Sequence, residues 1–234
     1  MIVMKNTIIL FFLAGFFSCS NNGKEGNNEG IVIIRDCKQL PVFISKTGFD
    51  PKRSAFSTSE KKIKGLVLIE FPLPGKEKRV YQDSSWKSFG SMGPIVITEK
   101  GEIYVAPIPF VNILANDPEK QNIIYRVDPL TGVLKPFTEL PTDEKPGDQN
   151  PYGILGLGYD CETGNLFAST VMGSTRDKES GSIFSIQTRG QVKILDRLNN
   201  MDIMGCGLAY FNGQKNLFFG RDRKSTRLNS SHRH

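Results

Sequence analysis

Side chains able to hold a hard cation gather in two short stretches of this 234-residue chain, Asp148-Gln149-Asn150-Pro151-Tyr152 and Asn199-Asn200-Met201-Asp202. Carboxylate and amide oxygens are the donors that Ca²⁺ selects. A third stretch, VMGSTRDKESG over Val171–Gly181, sets Arg176, Asp177 and Lys178 side by side. Together with Asn200, these charges suit an anionic or sugar-like ligand. Ordinary roles compete for the same residues: Asn and Asp bond their own backbone in turns, and a charged loop is often simply solvated. The two histidines are His232 and His234, so Met1–Ser231 holds no Ser-His-Asp triad, no Cys-His dyad and no histidine-ligated zinc. The cysteines Cys19, Cys37, Cys161 and Cys206 fit no metal-binding spacing. After Cys19 their odd number argues against a disulfide framework. They are expected as buried small apolar residues, with a bridge from Cys37 left open.

The elements that would position these groups are strands. No amphipathic helix is apparent; short runs of Val, Ile, Phe and Tyr alternate with Gly, Pro, Asn and Asp, an all-β pattern. Three segments repeat as strand, tight turn, strand: Gly93–Ile108 turning at Glu99-Lys100-Gly101, Ile154–Thr170 turning at Glu162-Thr163-Gly164-Asn165, and Gly207–Gly220 turning at Asn212-Gly213. Asn-Gly is the strongest two-residue hairpin signal, because both positions tolerate positive φ. Second hairpins follow at Ile123–Leu140 and Ser182–Leu198, and Gly65–Asp83 fits the same slot. Two hairpins in about fifty residues make the four antiparallel strands of one β-propeller blade. The boundaries predict a partial blade at Ile31–Lys87, full blades near Ser88–Pro141 and Gln149–Asn199, and another opening at Met201. A β-sandwich is the competing architecture. The lone Trp86 suits packing, or the stacking of a sugar.

The unit of apolar strand, Gly-ended turn, aromatic strand and Tyr125-Arg126-Val127-Asp128-Pro129-Leu130-Thr131-Gly132 resembles six-bladed propellers of the gluconolactonase, senescence-marker-protein and NHL-repeat type. The likeness covers about Gly65–Arg221. It implies a ring near 300 residues long, of which three to four blades are present. In gluconolactonase-like enzymes the loops leading into each innermost strand hold a divalent cation. On that resemblance Asn150 and Asp202 are the metal ligands, and Ca²⁺ or a similar ion would polarise a lactone carbonyl and activate water. Met92 stands where the family has Glu, and Asn150-Pro151-Tyr152-Gly153 replaces its Pro-Asn-Gly.

Both ends of the chain carry marks of another kind. A basic start, the apolar run Thr7–Phe17 and then Ser18-Cys19 resemble the signal and lipobox of bacterial lipoproteins. That family implies cleavage after residue 18 and lipidation of Cys19. Residues 20–30, SNNGKEGNNEG, hold no apolar side chain and read as a flexible tether. Asp222–His234 (DRKSTRLNSSHRH) resembles translated sequencing adapter, so the natural chain is expected to continue past Arg221. That tail carries +3 of the formal +6, and Lys5 another +1. No large basic cluster remains, which excludes a nucleic-acid footprint. Lys61-Lys62-Ile63-Lys64 reads as a solvated turn.

The expectation is an incomplete all-β propeller, anchored by lipid to a membrane of the bacterial envelope. It would bind a small molecule, a sugar-like ligand or an envelope protein. The alternative is a metal-dependent hydrolase of lactones or related esters; the Met92 and Pro151-Tyr152 departures favour the binding module.

Overall fold

Turn chemistry repeats along the chain and sets its strands. Asp128-Pro-Leu-Thr-Gly132 and Asp160-Cys-Glu-Thr-Gly164 form the same turn. In each, the Gly N–H donates to the Asp carbonyl, at 2.9 and 2.7 Å, and the Asp carboxylate gathers the N–H or hydroxyl groups that follow. Gly132 and Gly164 have φ of 77° and 72°, which only Gly adopts without strain. Asn212 and Gly213, both at positive φ, close a two-residue hairpin between Phe211 and Gln214.

The computed structural model describes residues 31–33, 37–109, 120–142, 144, 146–147, 150–175 and 177–221. The signal stretch, Cys19, the tether, Asp148, Gln149, Arg176 and the 222–234 tail lie outside the described residues. Among the described residues, fourteen strands run in chain order: β1 (Ile31–Ile33), β2 (Ser54–Ser57), β3 (Val67–Glu70), β4 (Arg79–Tyr81), β5 (Met92–Ile97), β6 (Ile103–Pro107), β7 (Ile123–Val127), β8 (Leu134–Glu139), β9 (Ile154–Tyr159), β10 (Leu166–Thr170), β11 (Ser180–Ile186), β12 (Val192–Asn199), β13 (Ile203–Phe211) and β14 (Gln214–Arg221). Among the described residues, helix is limited to α1 (Phe43–Lys46), α2 (Ser84–Lys87) and one 3₁₀ turn. The protein is thus all-β, in four antiparallel sheets: β2-β3-β4, β5-β6-β7-β8, β9-β10-β11-β12 and β1-β13-β14.

The inner strands of the second sheet, β6 and β7, bury side chains on both faces. Ile103, Val105, Tyr125 and Val127 pack against the first sheet, while Tyr104, Ala106 and Ile124 pack against the third. Successive residues of a strand point to opposite faces, so β6 is apolar and buried at every position. Trp86 is fully buried among Phe43, Phe56 and Tyr81, and its Nε1–H donates to the Gly132 carbonyl at 2.8 Å. Its role is packing rather than sugar stacking. The first strands of the last three sheets, β5, β9 and β13, surround a hollow of about 310 Å³.

Two sequence expectations are corrected. β1, expected with the first sheet, pairs with β13 of the fourth, Ile31 opposite Phe211. Cys37 and Cys161 are not isolated apolar residues: they form a disulfide with Cα atoms 6.1 Å apart, and Cys206 stays free. From Cys37 the chain crosses to the second sheet, where Gln39 N–H donates to Thr98 O at 3.0 Å and Phe43 N–H to Pro129 O at 3.1 Å. α1 then buries Phe43 and Ile44 in the first core cluster. This N-terminal strap therefore touches all four sheets, in the reverse of chain order.

Candidate functional site

In a run of antiparallel strands, alternate connections fall at opposite ends. The short turns lie at one end. The links at the other end, the long 140–153 and 171–179 and the three-residue 200–202, contain the residues singled out for chemistry. Asn150 pairs with Gly147 by two backbone bonds; its side-chain Nδ2–H donates to Val171 O at 2.8 Å and its Oδ1 accepts from Tyr152 N–H at 3.1 Å. Asp202 Oδ1 accepts from the Ser174 hydroxyl at 2.5 Å. The 171–180 loop thus lies between them, Asn150 holding one part and Asp202 another. Asn200, at φ 59°, directly follows β12 and donates its N–H to Glu179 O.

These residues act as turn and loop supports. Asn150 and Asp202 spend an oxygen each on local donors. Met92, at the position where the resemblance implies Glu, is buried in the core between the first and second sheets. Among the described residues no group of three His, Cys, Asp or Glu could hold a metal ion.

Beside the same loop lies a cleft of about 160 Å³. Thr142 and Glu144 of the β8–β9 link form one wall; Thr170, Ser182 and Arg197 of the third sheet form the other, with Lys178 at the rim. Met172 and Phe184 contribute apolar surface below. Lys178 Nζ stands 3.6 Å from Glu144 Oε1, farther than a charge-assisted hydrogen bond. Asp177 is exposed, its N–H at the edge of bonding distance from Thr175 Oγ1 at 3.4 Å.

Thr170 is the unusual member. Its side chain is fully buried, yet its Oγ1 has no hydrogen-bond partner. Such a group costs about 1–3 kcal/mol unless something satisfies it. A register shift between Ser169 and Thr170 in the β9–β10 pairing marks a bulge, the kind of irregularity that re-aims a side chain. The sequence reading missed Thr170, Ser182 and Arg197. The available signal was alternation: Leu166, Ala168 and Thr170 share a face, and Thr170 is its one polar residue.

The turn end carries a different electrostatic pattern. Lys215 joins Asp160, at 3.0 Å, to Glu162, at 2.5 Å, and Tyr210 OH donates to Glu162 at 2.6 Å. Burial alone would raise the Asp160 carboxyl, but bonds from Thr163 and Lys215 hold it below the usual range. The Lys215 bond lowers Glu162 as well. Tyr159 donates to Glu99, and burial with that contact raises its phenol; burial and Glu102 push Tyr104 up to about 12. The contacts of Lys215, Tyr210 and Tyr159 tie hairpins together, and none of these residues lines the cleft.

No protein-family model matches this chain, and no curated protein matches it either.

Proposed function

We propose that this protein is a lipid-anchored bacterial envelope protein, that its four sheets are successive blades of an incomplete β-propeller, and that it works as a binding module for a small polar ligand. The buried, unpartnered hydroxyl of Thr170 in a polar cleft carries the binding reading. A ligand in the cleft meets Ser182, Arg197 and Lys178 with Phe184 beside them, and its hydroxyl or carboxylate satisfies Thr170 only if the cleft widens to expose that hydroxyl. Pre-formed hollows with a few convergent polar groups are the usual form of ligand sites.

The Ser18-Cys19 lipobox supports the anchor. The Cys37–Cys161 disulfide fits an exported chain, since such bonds persist in oxidising compartments. Face-to-face packing of the second sheet on both neighbours, with β5, β9 and β13 around one hollow, supports the propeller.

The test is a thermal-shift screen with monosaccharides and small hydroxy acids. A ligand at a hundred times its Kd stabilises the folded state by about 2.7 kcal/mol. The expected result is a compound that raises Tm of the parent protein and leaves Thr170→Val unmoved, while that variant folds normally. A screen without a single such compound counts against the cleft. Ca²⁺ is the contrasting arm: stabilisation by Ca²⁺ that disappears in Asn150→Ala and Asp202→Ala would favour the metal-dependent hydrolase instead. For the anchor, labelled fatty acid should enter the parent protein in bacteria and not Cys19→Ser.

A further inference from the structure

We infer that the free edge of β14 is a pairing site for the β14 of a second copy of this chain, in an antiparallel dimer about a two-fold axis through Phe218. In the first three sheets the second strand, β3, β6 or β10, is paired on both edges. β14 is the strand that follows β13 as β10 follows β9, and among the described residues it pairs with β13 alone. Alternate residues of this eight-residue strand turn their N–H and C=O groups away from the sheet. Such an edge is a template for another strand.

The other outer edges are guarded. β4 is three residues long and begins with Arg79; β8 carries Lys135 and Pro136; β12 carries Lys193, Asp196 and Arg197, with a bulge in its ladder to β11. Short strands, charge, Pro and bulges all discourage pairing. β14 has no Pro, and its Lys215 is held by Asp160 and Glu162. Its middle is Leu217-Phe218-Phe219, where Phe218 and Phe219 point to opposite faces and are 41 % and 42 % exposed.

The residue order selects a second copy as the partner. Around Phe218 the strand is symmetric in type: Leu217 and Phe219, Asn216 and Gly220, Lys215 and Arg221. An axis through Phe218, perpendicular to the sheet, sets Phe218 opposite the partner's Phe218 and Leu217 opposite the partner's Phe219. Apolar cross-strand pairs of this kind stabilise a sheet, and the contact closes on itself as a two-fold dimer does. Lys215 stands opposite the partner's Arg221. Lys215, Asp160 and Glu162 together carry one net negative charge, so this meeting is complementary rather than repulsive, and it occurs twice. One strand edge is smaller than a standard interface, so the dimer is expected to be reversible.

Three measurements on the 234-residue protein decide the proposal. Sedimentation velocity over a dilution series should show monomer and dimer; a monomer at every concentration, or larger species in place of the dimer, overturns it. Phe218→Cys and Gln214→Cys then read the register under mild oxidation. The axis brings position 218 against itself, at the Cα spacing a disulfide needs, whereas the two copies of position 214 stand about 26 Å apart along the strands. Phe218→Cys should cross-link about tenfold faster than Gln214→Cys or the parent with its free Cys206; equal rates overturn the pairing. Hydrogen exchange needs no substitution. Amide protection in β14 should rise with protein concentration while β8 and β12 stay unchanged. Protection of β14 already complete in the dilute monomer, as a strand of the same chain on that edge would give, overturns the proposal.

Discussion

β9 and β13 carry almost the same residues. Gly156-Leu157-Gly158-Tyr159 in one matches Gly207-Leu208-Ala209-Tyr210 in the other, and after the turn Asn165-Leu166-Phe167 matches Asn216-Leu217-Phe218. Their surroundings differ. A Cβ on Gly156 would stand 2.5 Å from Ser169 Oγ of its own sheet and 2.6 Å from both the Cys206 nitrogen and the Gly205 Cα of the fourth sheet. A Cβ on Gly207 would meet nothing within 4 Å. Phe211 and Phe218 share the side of Gly207 and are 45 % and 41 % exposed. One small residue is demanded by the next sheet; its counterpart faces open space prepared in the same way. The comparison fits the proposed propeller, in which a further blade would dock on β13 as the fourth sheet docks on β9.

The comparison can be broken in order of effect. Trp86→Ala opens a cavity at the closed junction of the first and second sheets and strands the Gly132 carbonyl. A loss of about 3–5 kcal/mol is expected by chemical denaturation; less than 1 would show that this junction is not the stable part. Gly156→Val should cost about 3 kcal/mol, because backbone has to move, while Gly207→Ala should be neutral or gain about 0.5–1 kcal/mol. Equal penalties at the two glycines would erase the distinction between docked and open faces. Phe218→Ser should leave the melting transition in place and reduce self-association by light scattering, since exposed apolar sheet faces promote it.

The smallest effect is expected at Lys215, between the third and fourth sheets. Asp160 and Glu162 have folded-state pKa values below their ordinary ones. Their contribution is therefore present above the ordinary carboxylate range and is lost as pH falls through it, below roughly pH 4. Lys215→Met should lower Tm slightly at pH 7, and the gap to the parent should close on acidification. A gap that widens toward pH 3 would assign the stabilisation to other groups.

What the sequence made legible was local. Asp-x-x-Thr-Gly and Asn-Gly encode their turns within five residues, so the hairpins and the spans of the second and third sheets could be read directly. Non-local choices were hidden. Nothing near Ile31 specifies that it pairs with Phe211, and no spacing rule joins Cys37 to Cys161 across 124 residues. The cleft was half legible: Lys178 was picked out by charge, whereas Thr170 counts only because a bulge and the β8–β9 link leave its hydroxyl buried without a partner.

The strap also has a consequence in time. A chain that emerges from its N-terminus presents Cys37 early, long before the hairpin that carries Cys161 exists. Contacts of such long sequence separation form slowly. The second sheet and the first hairpin of the third have to form while Cys37 waits as a reactive thiol, and Cys206 emerges after Cys161 as a competing partner. The first part of the chain to appear is thus the last to be secured, and a foldase able to undo a wrong Cys37–Cys206 pairing should raise the yield of native protein.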